Sequence, residues 1–145
     1  MILLDTNIVS EPIKPRPNIA VRDWVDEQPA STLYICAPAL AELHFGLNRL
    51  AAGARRDRLR DYLEYLENDL YRGRVLVFDA NAAAAFGRIV AHRMRVGRPI
   101  QPMDALIAAI AHIHGATLAT RDVNDFVDLD INIVNPFDSK ARERR

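Results

Sequence analysis

Met1-Ile2-Leu3-Leu4-Asp5-Thr6-Asn7 opens the chain with a short apolar run that stops at an aspartate followed by two turn-forming polar residues. Such a run is too short for a helix and reads as a strand buried on both faces, with Asp5 at its C-terminal end. Working outward, the pattern recurs from Leu33 to Ala37, Val75 to Phe78, Thr117 to Thr120 and Ile131 to Val134, the last closed by Asn135-Pro136. Helical patterns separate these runs. Asn18 caps a helix carrying Ile19, Val21, Trp24 and Val25, and the preceding prolines at 12, 15 and 17 predict a loop. Pro38 opens a helix whose Leu40, Leu43, Leu47 and Leu50 recur at helical spacing until Gly53. From Arg55 to Tyr71, Leu59, Leu63, Leu66 and Leu70 share a face opposite alternating charges, a solvated helix packed on a core. Asp79 caps an alanine-rich helix through Val96 that Gly97 stops, and Pro102 starts a strongly apolar helix ending before Gly115. Strands alternating with helices predict an α/β fold with a mainly parallel central sheet, in which ligands bind beyond the C-terminal strand ends.

The 145 residues, half of them hydrophobic, predict one core; residues 1–137 read as one domain and 138–145 as a charged tail. Nineteen basic residues balance nineteen acidic ones, which gives no support to a binder that coats duplex nucleic acid by neutralising many phosphates, so any phosphate affinity is expected to be local. Cys36 has no cysteine to pair with, favouring a reducing compartment. A charge at position 5 comes too early for a signal peptide, and no apolar run reaches the roughly 20 residues of a membrane span. The expectation is a soluble, cytoplasmic protein.

Four carboxylates stand where such a sheet would gather them. Asp5 and Asp122 each follow a strand, whereas Glu42 and Asp104 lie early in helices that start from the same edge. Taken singly, each has an ordinary explanation as a turn or helix-start residue. As a set they need more, because Asp5 ends a buried strand and Asp104 precedes an apolar helix with no sequence-adjacent Lys or Arg. Clustered carboxylates share protons or bind a cation, and hard oxygen ligands in this number favour Mg²⁺ or Mn²⁺, with Asp5 and Asp104 as the expected metal ligands. Such ions support phosphodiester cleavage. Thr6, Asn7 and Thr120 flank the site as positioning residues. His112 and His114 are two apart and face different ways, His44 and His92 lack a ligand at helical spacing, and neither a nucleophile elbow nor a phosphate-binding glycine loop is present.

At Leu3-Leu4-Asp5-Thr6-Asn7, Glu42-Leu43-His44-Phe45-Gly46, Gly97-Arg98-Pro99-Ile100, Asp104-Ala105-Leu106-Ile107-Ala108 and Leu118-Ala119-Thr120-Arg121-Asp122 the chain resembles the PIN-domain family, most of all its VapC-type toxins. The resemblance runs from Met1 to about Phe137. It implies an α/β/α sandwich and a Mg²⁺- or Mn²⁺-dependent endoribonuclease cutting single-stranded RNA as the toxin of a toxin–antitoxin pair. It also implies a homodimer, neutralised by a cognate antitoxin through which alone it would reach operator DNA. Asp5, Glu42 and Asp104 match the family's three most characteristic acids. The fourth position falls on Asp122, which directly follows a strand, with Asp125 as the other candidate. Two other readings are a catalytically idle module binding RNA or antitoxin on the same fold, and an aspartate-based phosphatase; the latter suffers from a shortage of lysine, with only Lys14 and Lys140 in the chain.

Overall fold

The first strand, β1 (Ile2–Leu4), alternates its side chains between two cores: Leu3 packs into one cluster and Leu4 into the other, each essentially shielded from solvent. In the computed structural model, which describes residues 1–138, β1 is followed by α1 (Thr6–Val9), a turn of 3-10 helix at Glu11–Ile13, α2 (Ile19–Glu27), β2 (Leu33–Cys36), α3 (Ala37–Arg49) and α4 (Ala54–Tyr65). A π-helical turn at Leu66–Leu70 extends α4 and leads to β3 (Val75–Leu76) and α5 (Ala80–Arg95); α6 (Pro102–Ile113), β4 (Thr117–Ala119), α7 (Val123–Phe126) and β5 (Ile133–Val134) complete the order.

The five strands form one sheet in the order β3-β2-β1-β4-β5, and every neighbouring pair is parallel. Parallel neighbours require crossover connections, and the helices that make them cover both faces. On one side Leu3, Cys36 and Leu118 meet the small residues of α5 and α6, including Ala85, Ala108 and Ala111, so these helices lie close to the sheet and to each other. On the other, Leu4, Ile35 and Ala119 pack against Trp24, Leu43, Leu63 and Leu66. Neighbouring residues of one strand thus enter opposite cores, which explains why the runs are continuously apolar. The result is the expected α/β/α sandwich.

Several local boundaries differ from expectation. The third and fifth strands are shorter than the runs at Val75–Phe78 and Ile131–Val134, because they are edge strands with a partner on one side only: Val77 and Phe78 leave the sheet and are exposed. The helix at Pro38 stops at Arg49, with Leu50 extended, and not at Gly53. The proline stretch contains the 3-10 turn, with Pro12 inside its first turn where a missing N–H costs nothing. The leucine-striped helix runs from Ala54 and takes its π-helical turn at Leu66, and Leu63 and Leu66 are core residues. Beyond Asp138 the charged tail lies outside the described residues. No helix among the described residues is long and apolar enough to cross a membrane.

Candidate active site

Asp5 terminates β1 and caps α1, its Oδ1 accepting the Thr6 N–H at 2.7 Å. The strand–turn–helix transition holds the carboxylate at the C-terminal edge of the sheet, 5 % exposed. Its Oδ2 accepts two further hydrogen bonds, from the Thr120 hydroxyl at 2.7 Å and the Asn7 amide at 3.2 Å. Thr120, fully buried at the end of β4, also accepts the Asp122 N–H at 3.0 Å. Asn7 completes the junction: its Nδ2 reaches Asp122 Oδ2 at 3.0 Å and its Oδ1 accepts the Arg121 N–H at 3.2 Å. Thr6, Asn7 and Thr120, expected to flank the site, all hydrogen-bond to these acids, and Asn7 and Thr120 fasten the β1 and β4 ends together.

Glu42 arrives from α3, where Oε1 accepts the Thr6 hydroxyl at 2.8 Å. Asp104 lies in the first turn of α6, after Pro102, and no hydrogen bond from the described residues reaches its carboxylate. The charges interact. Burial pushes the Asp104 carboxyl up to about 6, and the like charges of Asp5, Asp125, Glu42 and Asp122 push in the same direction. Burial raises the Asp5 carboxyl as well, against the lowering effect of the Thr120 and Thr6 hydrogen bonds and with further upward pressure from Glu42 and Asp122. Acids from four distant segments thus lie within electrostatic reach at one edge, short of compensating cations.

The fourth acid is accompanied by a fifth. Asp122 is exposed and is tied to Asp5 through Asn7 and Thr120, whereas Asp125, in the first turn of α7, bears on Asp104. Sequence reasoning missed α7 because four residues without an apolar stripe carry no periodic signal. It also missed Glu11. That carboxylate is buried, accepts Lys14 Nζ at 2.5 Å and the Asn18 N–H at 2.8 Å, and sits below the usual glutamate range: burial raises it, but these bonds and the Lys14 and Arg121 charges outweigh the burial. The only sequence hint was the i,i+3 spacing from Glu11 to Lys14. His44, expected to have no ligand partner on its own helix, pairs its Nε2 with Glu67 Oε1 at 2.9 Å across to the π-helical turn.

Do these donors suit a divalent cation? All are hard carboxylate oxygens, donors that suit Mg²⁺ or Mn²⁺ better than zinc. Among the described residues no three acids, histidines or cysteines already converge as a coordinating group. Mg²⁺ does not need three: it keeps several waters and binds through one or two carboxylates.

An all-parallel α/β/α domain with acids at the C-terminal edge of its sheet defines an open α/β class whose ligands bind at that edge. The chain belongs to the PIN-domain family, whose model, described as "PIN domain", matches residues 2–132, and within it the chain groups with the VapC-type toxin ribonucleases. It is 41% identical to "VapC ribonuclease Y4jK" of Sinorhizobium fredii over 138 residues, 95% of this chain and 99% of that protein. It is 39% identical to "Toxin FitB" of Neisseria gonorrhoeae over 137 residues, 94% of this chain and 99% of that protein. Among solved structures it is similar to "Structure of FitAB bound to IR36 DNA fragment", with a TM-score of 0.89 at 37% identity over 95% of this chain and 96% of that one.

Proposed function

We propose that the chain is a Mg²⁺- or Mn²⁺-dependent endoribonuclease that cleaves single-stranded RNA in the cytoplasm as the toxin of a toxin–antitoxin pair, with Asp5, Glu42, Asp104 and Asp122 as its working acids. The observation that carries this reading is that those acids share one sheet edge within electrostatic reach of each other, which together with burial raises Asp5 and Asp104 and favours a positive charge among them. Asp5 and Asp104 would hold the metal. When bound, a divalent cation supplies Lewis-acid polarisation of the scissile phosphate and lowers the pKa of an attacking water.

The chain's own residues set the geometry for that chemistry. Asp5 is fixed by three hydrogen bonds, two to Oδ2 and one to Oδ1, so the lone pair left free is on Oδ1. The Thr6 hydroxyl keeps one Glu42 oxygen occupied and leaves the other to accept a proton from a water or hold it in line. Asn7 ties Asp122 to the same frame. Hydrolysis adds the water's oxygen to phosphorus, breaks the bond to one ribose oxygen and delivers the proton to that leaving group.

The names of the relatives support ribonuclease activity and a toxic role, and the FitAB likeness supports a partner protein and a complex that binds DNA. On this reading the chain works as a homodimer, a cognate antitoxin silences it, and operator DNA is reached through that antitoxin. The test is incubation of the purified chain with single-stranded RNA in Mg²⁺, Mn²⁺ or chelator, alongside expression in cells without an antitoxin. Cutting with metal alone, together with growth arrest, is expected. Cutting in chelator would defeat the metal reading, and unimpaired growth at high levels of active protein would defeat the toxin reading.

A further inference from the structure

A groove of about 440 Å³ runs between the 3-10 turn and the α3–α4 corner, and the cations on its walls are Lys14, Arg55 and Arg58. No Asp or Glu lines it. In a chain whose charges sum to zero this is a local excess of positive charge, and its position is informative. Ser10, at the C-cap of α1, and Gly46, four residues after Glu42 on α3, both line the groove. Four residues along a helix are about 6 Å on one face, so the groove begins roughly one helical turn from the Thr6–Glu42 hydrogen bond.

Arg55 and Arg58 are exposed and make no ion pair among the described residues, whereas Arg60 on the same helix is engaged by Asp57 and Asp61. Arg56, on the same helix, makes no ion pair among the described residues either but does not line the groove, so what marks Arg55 and Arg58 is their place on its wall. Lys14 is anchored by Glu11 at 2.5 Å, which fixes its ammonium at the rim. Between the cations, Ile13, Leu50 and Leu59 supply apolar wall and no aromatic stacking platform.

We infer that this groove is the track along which the phosphate backbone of single-stranded RNA continues away from the acid cluster, with Arg55 and Arg58 binding its phosphates. The inference rests on the nuclease reading above and adds the substrate path to it. An acidic edge repels the polyanion it must act on, and a cationic channel one turn away offsets that repulsion for the flanking nucleotides. Guanidinium groups suit phosphate oxygens through paired N–H donors. Because no aromatic ring lines the walls, the contribution is one of charge and is indifferent to base sequence.

The test measures binding without cleavage. A fluorescein-labelled single-stranded RNA is titrated in chelator, by anisotropy, at a series of salt concentrations, with wild type, Arg55→Gln/Arg58→Gln, the charge-retaining Arg55→Lys/Arg58→Lys, and a charge-matched control, Arg72→Gln/Arg88→Gln, outside the groove. The expected result is that the glutamine groove variant binds all sequences more weakly and its slope of log affinity against log salt falls by about 1.4, since each phosphate neutralised on a single strand accounts for about 0.7. The lysine variant keeps most of the slope and the control keeps all of it. An unchanged slope in the glutamine groove variant, or an equal fall in the control, overturns the inference. So does unchanged RNA affinity combined with weakened affinity for an acidic peptide, which would assign the groove to a protein segment. Since binding is read in chelator, a protein that binds as expected but never cuts RNA would defeat only the nuclease reading, and one that cuts with metal but shows no groove dependence would defeat only the track.

Discussion

Replacing Asp104 with Asn should stabilise the metal-free protein while destroying its activity. The carboxyl is held at about 6 where an ordinary aspartate has 3.8, so ionising it in the folded state costs about 3 kcal/mol. Asp104 is only partly buried, and solvent screening reduces that to about 1–2 kcal/mol. Its place in the first turn of α6 works the other way, since a negative charge there gains about 0.3–1 kcal/mol from the helix dipole. The net expectation is a gain of about 1 kcal/mol for Asp104→Asn, or roughly 3–4 °C in Tm for a domain of this size. The pH dependence follows from the sign. An acid whose folded pKa is raised binds more protons folded than unfolded between 3.8 and about 6, so wild-type stability falls as pH rises through that window. The advantage of Asp104→Asn is therefore absent below pH 3.8 and complete above about pH 7. Urea unfolding at pH 3.5 and pH 8 in chelator measures it. Adding Mg²⁺ or Mn²⁺ should then reverse the order, since a ligand at 100 times its Kd stabilises wild type by about 2.7 kcal/mol and the variant by much less. A variant less stable than wild type at pH 8 in chelator, or equally more stable at both pH values, would refute the reasoning.

Thr120→Val keeps the shape of a fully buried side chain but removes the hydroxyl that serves Asp5 and accepts the Asp122 N–H. It should cost about 1–3 kcal/mol by urea midpoint at unchanged m-value, and reduce cleavage by more than Thr6→Val, which releases only Glu42. Glu11→Gln should cost about 1–3 kcal/mol at pH 7, because it disrupts a buried carboxylate paired with Lys14 and the Asn18 N–H. Since that carboxyl sits below its ordinary 4.5, its stabilisation is present above pH 4.5 and lost as pH falls through the folded value, so the difference from wild type should shrink in acid denaturation. Asn18→Ala removes the side-chain acceptor for the Ala20 and Val21 N–H groups and should lower stability by about 1 kcal/mol, read in the same urea assay.

The layered fold was legible because its signals are local. Leu3 and Leu4, or Ile35 and Cys36, enter opposite cores, and a strand buried on both faces can only be a continuous apolar run. Asn18 and Asp79 were readable as caps for the same reason, since each serves N–H groups within three residues of itself. The gathering of Asp5, Glu42, Asp104 and Asp122 followed from topology: strand ends and helix starts share an edge in a parallel sheet. What stayed hidden depends on long-range contact. The Asn7 bridge to Asp122 joins segments that only the folded chain brings together, and the pairing of His44 with Glu67 requires a π-helical turn that no side-chain pattern announces. At Val77 and Phe78 the apolar run outlasts the strand, because hydrophobicity continues after the hydrogen-bonding partners run out.

Parallel cleavage assays on wild type and Asp5→Asn with a single-stranded RNA in Mn²⁺ bear most directly on the acid cluster. Asn keeps the shape and an acceptor oxygen while removing the charge. Wild type should cut and the variant should fall by at least about 100-fold, the scale on which loss of a group that stabilises transition-state charge is felt. Equal cleavage by a folded Asp5→Asn protein would contradict the account at its centre.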